Sequence, residues 1–289
     1  MKEFYSQQDL VDFEPRHDVF VGIDSDGCVF DSMSVKQRIF HTEIINFWGL
    51  HEAEAEVREI AEWVSLFSPW RGLNRFQLIL WIFKALNESG TAQVDVATLE
   101  AFVSSGVPLS ADELAKRVDV TGDAELQKVL DWSKEVSRQI SKLAEMPVFD
   151  EVVEGLKALQ EAADMIVVSQ TTEDALIREW RNASLEPFID VIAGAELGSK
   201  QQSLTFAAVG RYPLDRILMI GDAPGDLEAA QAVGCLFFPI IPGDETSSWI
   251  ELRNEALDRL KSGTFSGIYQ DKLITRFNTT LSETPPYER

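Results

Sequence analysis

Val19-Phe20-Val21-Gly22-Ile23-Asp24-Ser25-Asp26-Gly27 is a short apolar run that ends abruptly in two carboxylates one residue apart. Residues 19–23 are too few for a free-standing helix and are rich in β-branched and aromatic side chains, so they read as an interior strand of a parallel sheet. Such sheets bind ligands beyond the carboxyl ends of their strands, which is where Asp24 and Asp26 fall. On an ideal strand the two acids point to the same side, and Gly27 permits a sharp turn directly after them. A solvated turn rich in Asp and Gly is the alternative if this stretch is read alone.

Other runs agree with the strand reading. Asp164-Met165-Ile166-Val167-Val168 stops at Ser169, and Arg216-Ile217-Leu218-Met219-Ile220 stops at Gly221-Asp222-Ala223-Pro224-Gly225-Asp226. Between them, residues 188–193 precede Gly198-Ser199-Lys200. Four strand candidates thus lead to an acid pair, a hydroxyl, a lysine and a second acid pair. Amphipathic helical segments such as 152–162 and 173–182 lie between some of them, and this alternation predicts an α/β fold with a doubly wound, Rossmann-like parallel sheet. Thr171 and Asp174 have capping-box spacing, so a threonine at 171 or 172 is expected to cap the helix that follows. Asp31 is expected to cap a helix rather than to bind metal.

Residues 32–146 carry a different pattern. Ile39, Ile44, Ile45 and Trp48 recur at spacings near three and four, as do Val57, Ile60, Ala61, Val64 and Phe67, then Phe76, Ile79, Leu80 and Phe83, then Leu126, Val129, Leu130, Val136 and Ile140. This is an all-α insert. The core resumes near Pro147, so the expected division is 1–31 with 147–289 as the catalytic core and 32–146 as a helical cap. Within the insert, Pro69-Trp70-Arg71-Gly72-Leu73-Asn74-Arg75 interrupts the helical pattern with a turn carrying two cations.

The chain has 289 residues, of which 45% are hydrophobic, enough for two domains with substantial cores. No apolar segment is long enough to span a bilayer, and residues 1–16 lack the apolar centre of a secretory signal, so the expected location is cytoplasmic. The two cysteines, Cys28 and Cys235, have no metal-type spacing and indicate neither a disulfide framework nor a zinc site. Against 26 Lys and Arg stand 48 Asp and Glu, a formal charge of −22 that repels nucleic acid and anionic membranes. Beyond Pro242, residues 249–260 have a helical pattern and are followed by Gly-, Ser- and Thr-rich sequence.

In this order, the residues after the four runs resemble the motifs of the haloacid dehalogenase superfamily of phosphohydrolases and phosphomutases, in particular its capped β-phosphoglucomutase- and phosphoglycolate phosphatase-like members. Asp24-Ser25-Asp26-Gly27 looks like the first motif, Ser169 the second, Lys200 the third and Gly221 to Asp226 the fourth, with LEAAQAVGC at 227–235 matching the usual continuation. The resemblance implies that Asp24 is a nucleophile forming an aspartyl-phosphate, which divides one difficult displacement into two easier ones. It implies Mg²⁺ held by the Asp24 carboxylate, the Asp26 backbone carbonyl and Asp222, with Asp226 positioning metal-bound water. Lys200 would bridge Asp24 and the phosphate, Ser169 would hydrogen-bond a phosphoryl oxygen beside Gln170 at the substrate, and Asp26 would act as general acid and then base. An Asp at position 26 favours phosphate-ester chemistry, since the family's dehalogenases lack it.

The same resemblance assigns the helical insert to a substrate-selecting cap whose Arg75, with Arg71 beside it, grips a non-transferring phosphate. Pairing with surface acids is the alternative for both arginines. Where the mutases have a histidine twelve residues after the nucleophile, this chain has Lys36. The expectation is therefore a Mg²⁺-dependent phosphohydrolase of a small phosphorylated metabolite. A sugar phosphomutase and a non-catalytic binding protein on the same scaffold are the alternatives.

Overall fold

The computed structural model describes residues 3–143 and 145–288. The chain divides into two compact units, Met1–Met33 with Glu145–Thr280 and Ser34–Ala144 with Leu281–Arg289. In the first unit, five parallel strands form one sheet in the order β3-β2-β1-β4-β5, with β1 Phe20–Ile23, β2 Asp164–Val168, β3 Val191–Ala193, β4 Ile217–Gly221 and β5 Leu236–Pro239. Every strand residue is buried, which is why these segments read as unbroken apolar runs rather than as alternating ones. Phe20 pairs with Asp164 on one side and Ile217 on the other, so β1, β2 and β4 run in register and their carboxyl ends lie side by side. Strand order reverses at β1, a switch point of the kind at which open α/β sheets bind ligands.

β5 is a fifth strand beyond the four candidates, and it contains Pro239. Its position at the sheet edge explains the tolerance, since proline there removes a donor that no neighbouring strand would use. The 188–193 run contributes only its last three residues to β3, with Glu186–Phe188 forming a 3₁₀ turn instead. Past Pro242, a helical stretch with a π-helical turn at Leu252–Ala256 reaches Ser262, and the helix Ile268–Thr280 packs on β5 through Phe277 and Phe237, ring centroids 5.6 Å apart.

The second unit is helical, with a core of the residues whose spacing marked them in the sequence, among them Ile44, Val57, Ile79, Leu126 and Val136. Its helices stop and start on local signals. Asn74 caps Arg75–Ser89 in a reciprocal capping box with Gln77, and Gly90 ends that helix in the left-handed conformation. His41 is buried with Nε2 3.3 Å from Ser65 Oγ, and burial lowers its pKa to about 3, so it is a neutral packing residue. The last residues pack in this unit, where the sequence had placed 147–289 together. Ser282 N–H donates to Phe67 O at 2.9 Å, Ser282 O accepts from Trp63 Nε1 at 3.0 Å, and Leu281 is buried. No helix among the described residues is long and apolar enough to cross a membrane.

Candidate active site

Three carboxylates meet at the carboxyl edge of the sheet. Asp24 follows β1, and its N–H donates to Ile220 O at 2.9 Å, extending the ladder by one residue. Asp222 follows β4, and Asp226 lies in the first turn of the helix Pro224–Val233. All three are buried, and one oxygen from each lies within 4.8 Å of the others. Lys200, the first residue of the helix Lys200–Ala208, enters between them with Nζ 2.7 Å from Asp24 Oδ2 and 2.5 Å from Asp226 Oδ1. Ser199 and Gln202 hold that helix start in a reciprocal capping box.

Asp226 also braces the loop. Its Oδ2 accepts from the N–H groups of Asp222 and Ala223 at 3.2 and 3.0 Å. Gly221 makes this possible, since a Cβ there would lie 2.3 Å from Asp226 Cγ. The charges do not balance. Burial raises the Asp24 pKa, Lys200 opposes that, and Asp226 and Asp222 add to it, leaving it well above the ordinary carboxylate range. Burial disfavours the Lys200 ammonium, but contact with Asp226 and Asp24 outweighs this and keeps it charged. One ammonium among three buried carboxylates leaves excess negative charge in an all-oxygen donor set, the environment that suits a hard divalent cation such as Mg²⁺.

The Asp26 carboxylate faces elsewhere. Its Oδ1 accepts from Ser32 Oγ and its Oδ2 from Thr171 Oγ1, the latter at 2.8 Å. The chain leaves the strand at Asp24, turns at Gly27 with φ 75°, and closes on itself through Gly27 N–H to Phe30 O at 2.9 Å. Thr171 therefore does not cap the next helix, and Thr172, at the cap position, makes no side-chain cap bond. Glu196 does the capping, accepting from Glu173 N–H at 2.9 Å. Ser169 is buried at the end of β2, with Oγ accepting from Thr171 N–H at 3.3 Å, while Gln170 is exposed and donates to Gly198 O. Cys28 is fully buried and burial pushes its thiol well up, consistent with packing rather than reactivity.

The two arginines lie in the helical unit. Arg71 is buried and donates from NH1 to Leu66 O at 2.9 Å. Arg75 donates from NH1 to Ser133 O, Ser133 Oγ and Ser137 Oγ at 3.2, 3.3 and 2.8 Å, and its guanidinium lies over the Phe40 ring at 5.4 Å. Among the described residues all of its hydrogen-bond acceptors are uncharged, so no pairing of Arg75 with a surface acid is seen there. Sequence reasoning missed Ser32 and Thr171 as partners of Asp26. Ser32 opens the segment that the sequence assigns to the helical insert, and nothing local marks its hydroxyl as reaching back across six residues.

The family model for haloacid dehalogenase-like hydrolases matches residues 73–240, more than half of the chain. That span holds Ser169, Lys200, Asp222 and Asp226 but begins after Asp24 and ends before the C-terminal helices. No curated protein matches the sequence. Among solved structures, a provisionally named phosphoglycolate phosphatase from Lactobacillus delbrueckii subsp. bulgaricus aligns at a TM-score of 0.50 with 13% identity, covering 87% of this chain and all (100%) of that one. A provisionally named β-phosphoglucomutase from Bacteroides vulgatus aligns at 0.44 with 12% identity, covering 96% and 98%. A haloacid dehalogenase superfamily hydrolase from Ehrlichia chaffeensis aligns at 0.43 with 16% identity, covering 86% and 100%. The likeness to the first of these speaks to fold, and the sequence match across more than half the chain makes it a member of the haloacid dehalogenase-like hydrolase family.

Proposed function

We propose that the protein is a Mg²⁺-dependent phosphohydrolase that acts on a small phosphorylated metabolite through an aspartyl-phosphate on Asp24. The observation that carries this reading is the buried trio Asp24, Asp222 and Asp226 with Lys200 spanning two of them. The Asp24 carboxylate, Asp222 and the Asp26 carbonyl would hold the metal, with Asp226 beside it, and the ion would supply positive charge against the phosphoryl oxygens during anion-on-anion attack.

The chain's own residues divide the remaining work. An Asp24 carboxylate oxygen bonds to phosphorus as the ester oxygen departs, and Asp26 gives that oxygen its proton. Asp26, now a carboxylate, takes a proton from the water that attacks the aspartyl-phosphate, which releases phosphate and restores Asp24. Lys200 orients the Asp24 carboxylate, and the Ser169 hydroxyl donates to a phosphoryl oxygen. Thr171 and Ser32 hold the Asp26 carboxyl group between turnovers.

A second reading rests on Arg75, whose guanidinium meets, among the described residues, only neutral acceptors and so is suited to a second anionic group on the substrate. A sugar phosphomutase would use such a contact. Phosphate release from a panel of phosphorylated sugars, glycolate and nucleotides, with and without Mg²⁺, tests the first reading. Conversion of a sugar 1-phosphate to its 6-phosphate isomer with little free phosphate would establish the second instead.

A further inference from the structure

The turn that carries the two catalytic acids is held from below by two indoles. Trp180, in the helix Glu173–Asn182, donates from Nε1 to Ser25 Oγ at 3.0 Å. Trp249, in the helix Glu245–Glu251, donates from Nε1 to Cys28 O at 2.9 Å. Both indoles, Ser25 and Cys28 are fully buried, so water cannot replace either bond. Ser25 lies between Asp24 and Asp26, and Cys28 lies two residues beyond Asp26. The Asp26 carbonyl and carboxyl therefore sit on a segment fixed at both ends.

The fit of Trp249 is specific. A Cβ on residue 155 would lie 2.4 Å from Trp249 Cε3, so Gly155, inside the helix Val152–Gln160, opens the slot that the ring fills. Glycine is unfavourable in a helix interior, and its presence here is explained by the indole it admits. Trp249 also lies past residue 240, where the family match ends, so the pin on Cys28 comes from outside the matched span.

We infer that Trp249 and Trp180 are positioning residues that fix the orientation of the Asp24–Asp26 turn, with Trp249 giving the C-terminal segment a function in the reaction. This rests on the phosphohydrolase reading for its catalytic consequence but not for the pinning itself. The tests are Trp249→Phe and Trp180→Phe in the full chain, each of which keeps an aromatic ring in the slot and removes the N–H. Hydrogen–deuterium exchange, measured without substrate, is expected to rise at least fivefold in the peptide containing Gly27, Val29 and Phe30, with β4 unchanged. With p-nitrophenyl phosphate and Mg²⁺, kcat is expected to fall about tenfold in each variant while KM stays within twofold. The double variant should lose less than the product of the two singles, because both bonds constrain one turn.

Unchanged exchange in the turn overturns the inference whether or not the wild type turns over this substrate. Faster exchange with undiminished kcat, or a lowered melting temperature alone, reduces the indoles to packing and overturns the positioning role. A wild type that releases no phosphate from any ester overturns the phosphohydrolase reading and leaves the exchange result to decide the pinning.

Discussion

Replacing Gly221 by alanine should destabilise the protein far more than a single methyl group suggests. Gly221 lies outside the positive-φ region, so its backbone accepts alanine without strain. The cost comes from contact. The new Cβ would stand 2.3 Å from Asp226 Cγ and 2.4 Å from both Cβ and Oδ2, whereas carbon atoms in contact prefer about 3.5–4.0 Å, so Asp226 must retreat by about 1 Å or more. That carboxylate accepts from Lys200 Nζ at 2.5 Å, Ala223 N–H at 3.0 Å and Asp222 N–H at 3.2 Å, and bonds of this length weaken steeply when stretched so far. At about 1.5–3 kcal/mol for each hydrogen bond to a charged group, losing most of this set costs about 3–5 kcal/mol. Urea unfolding of the wild type and Gly221→Ala measures it. The same substitution on an Asp226→Gly background, which removes Cβ as well as the carboxylate, should cost less than about 1 kcal/mol, because the obstacle is gone. A loss below about 1 kcal/mol in the wild-type background, or an equal loss in both backgrounds, refutes the reasoning.

Lys200→Met removes the ammonium shared by Asp24 and Asp226, leaving buried carboxylates uncompensated, a change that typically costs about 3–5 kcal/mol. The unfolding midpoint in EDTA should drop accordingly and recover in part with Mg²⁺, about 1.4 kcal/mol for each tenfold excess over its Kd, while phosphate release is lost. At the opposite end of the sheet, Asp164 is buried and accepts from Tyr212 Oη at 2.7 Å and from the N–H groups of Arg16 and His17, each at 2.9 Å. Burial opposes the charge, but these bonds win and hold its pKa below the ordinary value, so its contribution is complete above about pH 4 and is lost as pH falls through the folded-state pKa. Denaturation at stepped pH should show the stability gap between wild type and Asp164→Asn closing only below about pH 4; a gap that opens on acidification contradicts the assignment. Ending the chain at Thr280 removes the acceptor of Trp63 Nε1, the donor to Phe67 O and buried Leu281, so the helical unit should lose about 2–4 kcal/mol, read by thermal unfolding with tryptophan fluorescence.

What the sequence disclosed follows from where each signal was local. β1, β2 and β4 are buried on both faces, so their runs were visible, and each stops where the polar chemistry begins. The helical unit kept its period because each helix turns one stripe to a single core. Arrangements that depend on distant partners were not legible. Thr171 has the local signature of a cap, yet a carboxylate remote in sequence takes its hydroxyl and Glu196 supplies the cap in its place. Trp180 and Trp249 look like any core aromatics until the fold sets their N–H groups under Ser25 and Cys28. The C-terminal segment divides between the two units because Leu281 and Ser282 find apolar and backbone partners beside Trp63 and Phe67, a pairing that no spacing in the sequence announces.

Asp24 is the proposed donor of an oxygen to phosphorus. Phosphate release with Mg²⁺, measured for wild type and Asp24→Asn across phosphorylated sugars, glycolate and nucleotides, tests it most directly. Release that requires Mg²⁺ and vanishes in Asp24→Asn, with the variant still folded, is the predicted result. Release that persists in the variant, or that ignores the metal, would contradict it.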